Sequence, residues 1–73
     1  MSYLVILFDS VSSALLTEKI LKGEGIPHKL IPVPKSISSD CGVCIRIDPV
    51  DEARAGAAID NKVGTWSVHS LPS

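Results

Sequence analysis

The chain has 73 residues, 45% of them hydrophobic and 21% charged, with a formal net charge of -1. That length makes one small domain over residues 1–73, with a marginal core, since a domain of ~60 residues buries only about 60% of its unfolded surface. The composition argues against disorder, no basic block offers nucleic acid a footprint, and one Trp, one Tyr and one Phe are too few for a base-stacking platform.

Tyr3-Leu4-Val5-Ile6-Leu7-Phe8 is short, β-branched and aromatic, and reads as a buried central strand. It is also the longest apolar run, far short of the roughly 20 residues a membrane helix needs or of a signal peptide's charged start and apolar stretch. A cytoplasmic protein with no membrane contact is expected. Asp9-Ser10 ends the strand and caps a helix from about Val11 to Lys22. Leu16, Ile20 and Leu21, with Ala14 and Thr17, form its expected core face, opposite Glu18, Lys19 and Lys22. Gly23-Glu24-Gly25 stops the helix.

Ile26 to Val33 reads as a second strand, pushed to a sheet edge by Pro27 and Pro32, which cannot donate to a ladder. Pro34 to Asp40 is a polar loop. Gly42 to Ile47 is a third strand in which Val43, Ile45 and Ile47 alternate with Cys44 and Arg46. Asp48 followed by Pro49 signals a second helix running to about Asn61, with Val50, Ala53 and Ala57 inward. After a turn at Lys62-Val63-Gly64, Thr65 to Leu71 forms a last strand with Trp66 and Val68 on one face. The order βαββαβ predicts an α+β, ferredoxin-like fold: a four-stranded antiparallel sheet with two helices on one face.

Both cysteines stand in Cys41-Gly42-Val43-Cys44. Cytoplasmic thiols are kept reduced, so reactivity or metal comes before a structural staple. In an extended strand the two Cα atoms would lie about 10 Å apart, whereas a disulfide needs them within ~7 Å. Cooperation between the thiols therefore places Cys41 in a bend before the strand, made easier by Gly42. Five readings begin from this motif. A zinc site needs four ligands, which His28 and His69 or a second copy of the chain would have to complete. A copper chaperone of this fold carries its cysteines between the first strand and first helix, here Asp9-Ser10, and a thioredoxin places them at a helix start in a longer chain. A thiol nucleophile needs nearby positive charge: Lys35 and Arg46 are the closest cations, Asp40 opposes them, and the N–H groups of Gly42 and Val43 would help if they form an anion-binding nest. A buried cysteine acting as a small hydrophobe is the plainest reading, and it suits Cys44 better than Cys41. His28 and His69 read as strand surface residues, and Ser36, Ser38 and Ser39 as loop hydrogen-bonders without a triad.

The run from Pro32 to Val43, "PVPKSISSDCGV", resembles the signature of a selenium/sulfur carrier-like family of short bacterial proteins. The likeness extends to Ala14–Lys19 in the first helix and to Gly25-Ile26-Pro27. It implies that Cys41 accepts sulfur or selenium as a persulfide or selenopersulfide and passes it on. Lys35 stands where arginine is expected, keeping the charge but losing the planar fork. Cys44 stands where relatives carry a small apolar residue, which makes it an optional second thiol that releases the cargo by closing a disulfide. On this reading Cys41 and Cys44 do the chemistry, and Lys35, Arg46 and Gly42 stabilise the anion. The chain is then a carrier rather than a stand-alone enzyme, with no cofactor or metal, and its partners are sulfur or selenium donor and acceptor proteins. The competing expectation is a small interaction module whose cysteines are structural or bind zinc, shared across a homodimer.

Overall fold

Strand β1 (Tyr3–Phe8) forms where the sequence places it, and Ser10 caps α1 (Val11–Gly23) by accepting a hydrogen bond from the Ser13 N–H at 3.2 Å. The structure, a computed structural model, describes residues 3–34 and 42–71. Helix α1 ends through Gly25, whose φ of 70° only glycine adopts freely. The Ile26 N–H reaches the Leu21 carbonyl at 3.0 Å and the Gly25 N–H the Lys22 carbonyl at 3.2 Å, while Leu21 and Ile26 bury together.

That closure explains why β2 is shorter than expected, Lys29–Pro32 instead of Ile26 to Val33. Ile26 is committed to the helix end, Pro27 has no N–H, and His28 falls before the strand. Strand β3 (Val43–Ile47) follows, then a 3-10 turn (Pro49–Asp51), α2 (Glu52–Ile59) and β4 (Trp66–Leu71). Helix α2 stops two residues before the expected Asn61, which lies beyond its end in the left-handed region at φ 62°. The sheet order is β2-β3-β1-β4, antiparallel throughout, so proline-bearing β2 is an edge as predicted. This is the α+β, ferredoxin-like arrangement.

Leu4, Ile6 and Phe8 of β1 and Ile45 and Ile47 of β3 pack under both helices, with Trp66 and Val68 of β4 against them. Two helix-face expectations need correction. Leu16 is 43% exposed, because α1 meets the sheet along the line Ala14, Thr17 and Leu21, which leaves Leu16 to one side. On the second helix, Val50 is 84% exposed and Ala53 and Ala57 face solvent. The inward residues are Ala55 and Ile59, with Ala58 packed against them. Ile59 is the one large apolar side chain of α2, and it sets the phase.

The sheet's second face is apolar at its centre. Val5, Leu7 and Cys44 are buried there, with Ile31 and Val33 against them. A strand sealed on both faces reads as a continuous apolar run, as β1 does. Among the described residues no helix is long and apolar enough to cross a membrane.

Candidate functional site

The head of β3 carries the cysteine motif. Cys41 and Lys35 lie outside the described residues. Gly42 is exposed, and its carbonyl accepts a hydrogen bond from the Val33 N–H at 3.3 Å, closing the end of the β2–β3 ladder. A Cβ at Gly42 would meet nothing within 4 Å, and its backbone is not left-handed. Neither crowding nor φ demands glycine at that position.

Cys44 faces away from the isoleucines of β3, as the alternation predicts, and is fully buried between Val5 and Leu7. Its Sγ–H points to the Pro32 carbonyl at 3.9 Å, across the pair Ile31–Cys44. Aliphatic walls of this kind solvate a thiolate poorly. Cys44 thus has the surroundings of a packing residue, while remaining next to the strand end where Gly42 sits.

Arg46 shares the sheet face of Cys44 but stands at the other end of β3, roughly 13 Å along the strand from Gly42 at ~3.3 Å per residue. Its guanidinium lies over the Tyr3 ring, 4.6 Å from the centroid, in a cation–π contact. Across the ladder its partner is Lys29. Arg46 and Lys29 line a hollow of about 250 Å³ with Tyr3, His28 and Asp48, its apolar walls coming from Pro27 and Ile47. Lys29, Tyr3 and Asp48 were not among the residues expected to matter. Only the strand register brings Lys29 opposite Arg46, and that register is not readable from spacing.

The two histidines are apart from each other in their contacts. His28 Nδ1 lies 2.8 Å from the Ile26 carbonyl, and His69 Nε2 lies 3.1 Å from Ser67 Oγ on β4. Among the described residues no three His, Cys, Asp or Glu side chains come together in a metal-holding group.

A four-stranded antiparallel sheet with two helices on one face, in the order βαββαβ, defines a small ferredoxin-like protein. The family model described as "Putative Se/S carrier protein-like" matches residues 3–70, and the chain belongs to that family. The match takes in Lys35, Cys41, Gly42, Cys44 and Arg46. No curated protein and no solved structure matches the chain.

Proposed function

We propose that the chain carries sulfur or selenium on Cys41. The observation that carries the reading is the family match over residues 3–70, which spans the Cys-Gly step. Gly42, the other half of that step, is exposed and tied to β2 through the Val33 N–H, which is consistent with the reading.

In the loading step the Cys41 thiolate attacks the outer, sulfane sulfur of a donor persulfide. A new S–S bond forms on Cys41, the donor's S–S bond breaks, and the donor leaves as a thiolate. The selenium version replaces the transferred atom. Unloading is the same exchange onto an acceptor thiol. Cys44 offers a second route: its thiol attacks Cys41 Sγ, forms the Cys41–Cys44 disulfide and expels the outer atom as hydrogen sulfide or selenide. A thiol reductant then restores both cysteines. Because Cys44 is sealed among Val5, Leu7 and Ile31, that route requires local opening and is slower than direct transfer. Lys35 is the cation assigned to the Cys41 thiolate, since Arg46 is engaged with Tyr3 at the other end of β3.

Intact mass after exposure to a persulfide donor tests the reading. The wild-type chain and Cys44→Ala gain one sulfur atom, and Cys41→Ser gains none while keeping the wild-type circular dichroism. No gain in the wild type, or an equal gain in Cys41→Ser, sinks it. Stoichiometric zinc in the purified protein, lost when either cysteine is replaced, replaces it with the zinc-bridged module.

A further inference from the structure

The hollow at the far end of β3 has a charge pattern that packing does not explain. Lys29 and Arg46 are direct cross-strand partners on one sheet face, an arrangement in which like charges destabilise the pair. Among the described residues neither has a carboxylate within ion-pair distance, and the ion pair present there joins Arg54 to Asp51. The Tyr3 ring holds the Arg46 guanidinium 4.6 Å from its centroid, so the cation is positioned before anything binds. Asp48 lines the same hollow without neutralising either cation. His28 also lines the hollow, and because a carbonyl only accepts, its Nδ1 donates to the Ile26 oxygen at 2.8 Å and so orients the ring.

Two cations beside a carboxylate, one of them held in place by Tyr3, suit an anionic ligand that also has a hydrogen to donate. We propose that this hollow binds a small oxyanion that retains an O–H, of the hydrogenphosphate type. Its charged oxygens meet Lys29 and the Arg46 fork, and its O–H donates to Asp48. The two cations attract the oxyanion, the O–H bridges it to the Asp48 carboxylate, and the repulsion between the cations is relieved on binding. The volume of about 250 Å³ suits a ligand of that size and leaves room for a substituent. The proposal does not depend on sulfur transfer.

The test is a titration of isotope-labelled full-length protein with inorganic phosphate at neutral pH, followed by amide chemical shifts at constant ionic strength set by chloride. Saturable shifts are expected at Lys29, Arg46, Ile47 and Asp48. Lys29→Gln and Arg46→Gln each weaken binding roughly three- to tenfold, as loss of one charge-assisted hydrogen bond near a surface implies. Both side chains reach solvent, so the variants keep the wild-type spectrum elsewhere. Sulfate, which has no O–H at this pH, binds more weakly than phosphate, and Asp48→Asn, whose amide donates, narrows that difference. Linear shifts that chloride reproduces overturn the site. Shifts unchanged by the Lys29 and Arg46 substitutions overturn it too, as does equal wild-type affinity for phosphate and sulfate.

Discussion

Replacing Ile59 by alanine tests which side of α2 faces the sheet. Ile59 is fully buried against the face built by Leu4, Ile6 and Phe8, and its neighbours on the helix are the small Ala55 and Ala58. Removing three carbons at about 0.8 kcal/mol each withdraws about 2.4 kcal/mol of transfer free energy. Alanine neighbours collapse poorly into a void, and a residual cavity of ~40 Å³ adds about 1 kcal/mol at ~24 cal/mol per Å³. The expected loss is therefore about 3.5 kcal/mol, within the ~2–5 kcal/mol seen when buried isoleucine becomes alanine. A chain of 73 residues at ~0.05–0.15 kcal/mol per residue holds about 4–11 kcal/mol in all, so the loss is a large share of it. The melting temperature falls by about 14–28 °C, at ~4–8 °C per kcal/mol for a domain of this size. Val50→Ala is the control: 84% exposed, it shifts stability by no more than about 0.5 kcal/mol. Urea unfolding followed by far-ultraviolet circular dichroism and by Trp66 emission measures both. Trp66 is a suitable probe because its Cη2 atom lies 3.5 Å from where a Cβ on Gly56 of α2 would stand. A loss below about 1 kcal/mol for Ile59→Ala, or equal losses for the two variants, would refute the inward assignment of Ile59.

Thr17 is fully buried and its Oγ1 has no hydrogen-bond partner among the described residues, so Thr17→Val, nearly the same shape without the hydroxyl, raises the urea midpoint by an amount equivalent to about 1 kcal/mol. Asn61, at φ 62°, tolerates glycine within about 0.5 kcal/mol but loses about 1–2 kcal/mol on replacement by valine, read from the same unfolding curves. Cys44→Ser sets a hydroxyl among Val5, Leu7 and Ile31 and costs about 1–3 kcal/mol, more than Cys44→Ala, which leaves only a small void; thermal melts of the two variants rank them.

Much of the fold is legible because its local signals agree. The continuous run Tyr3–Phe8, the Ser10 cap, the Gly25 turn, the edge position of proline-bearing β2 and the alternation in β3 each point to one element and one place, and all stand in the structure. The second helix is legible in its place, though its first turn is 3-10 and its end comes early, but not in its facing. Alanines at 53, 55, 57 and 58 weigh alike in any periodicity, and anchoring the phase on Val50 turns the helix outward, whereas Ile59 fixes it correctly. Leu16 misleads in the same way, because α1 approaches along the line Ala14, Thr17 and Leu21. At the candidate site, the burial of Cys44 follows from alternation together with a doubly covered β1. The meeting of Lys29 with Arg46 depends on register across two strands, and Tyr3 reaches Arg46 from a third. Cys41 and Lys35, singled out by their motif, lie outside the described residues.

The placing of β1 bears on how the chain is made. It is the second strand from one edge, and every residue of it pairs with β4, from Tyr3 against Leu71 to Phe8 against Trp66. On a ribosome, the stickiest six residues emerge some sixty positions before the strand that covers their flank. Until then an apolar ribbon has one side of its backbone open to any other extended segment. Nascent chains interrupted before Trp66 should accordingly associate with one another or be captured by holding chaperones, whereas chains released beyond Leu71 zip shut and leave that hazard behind.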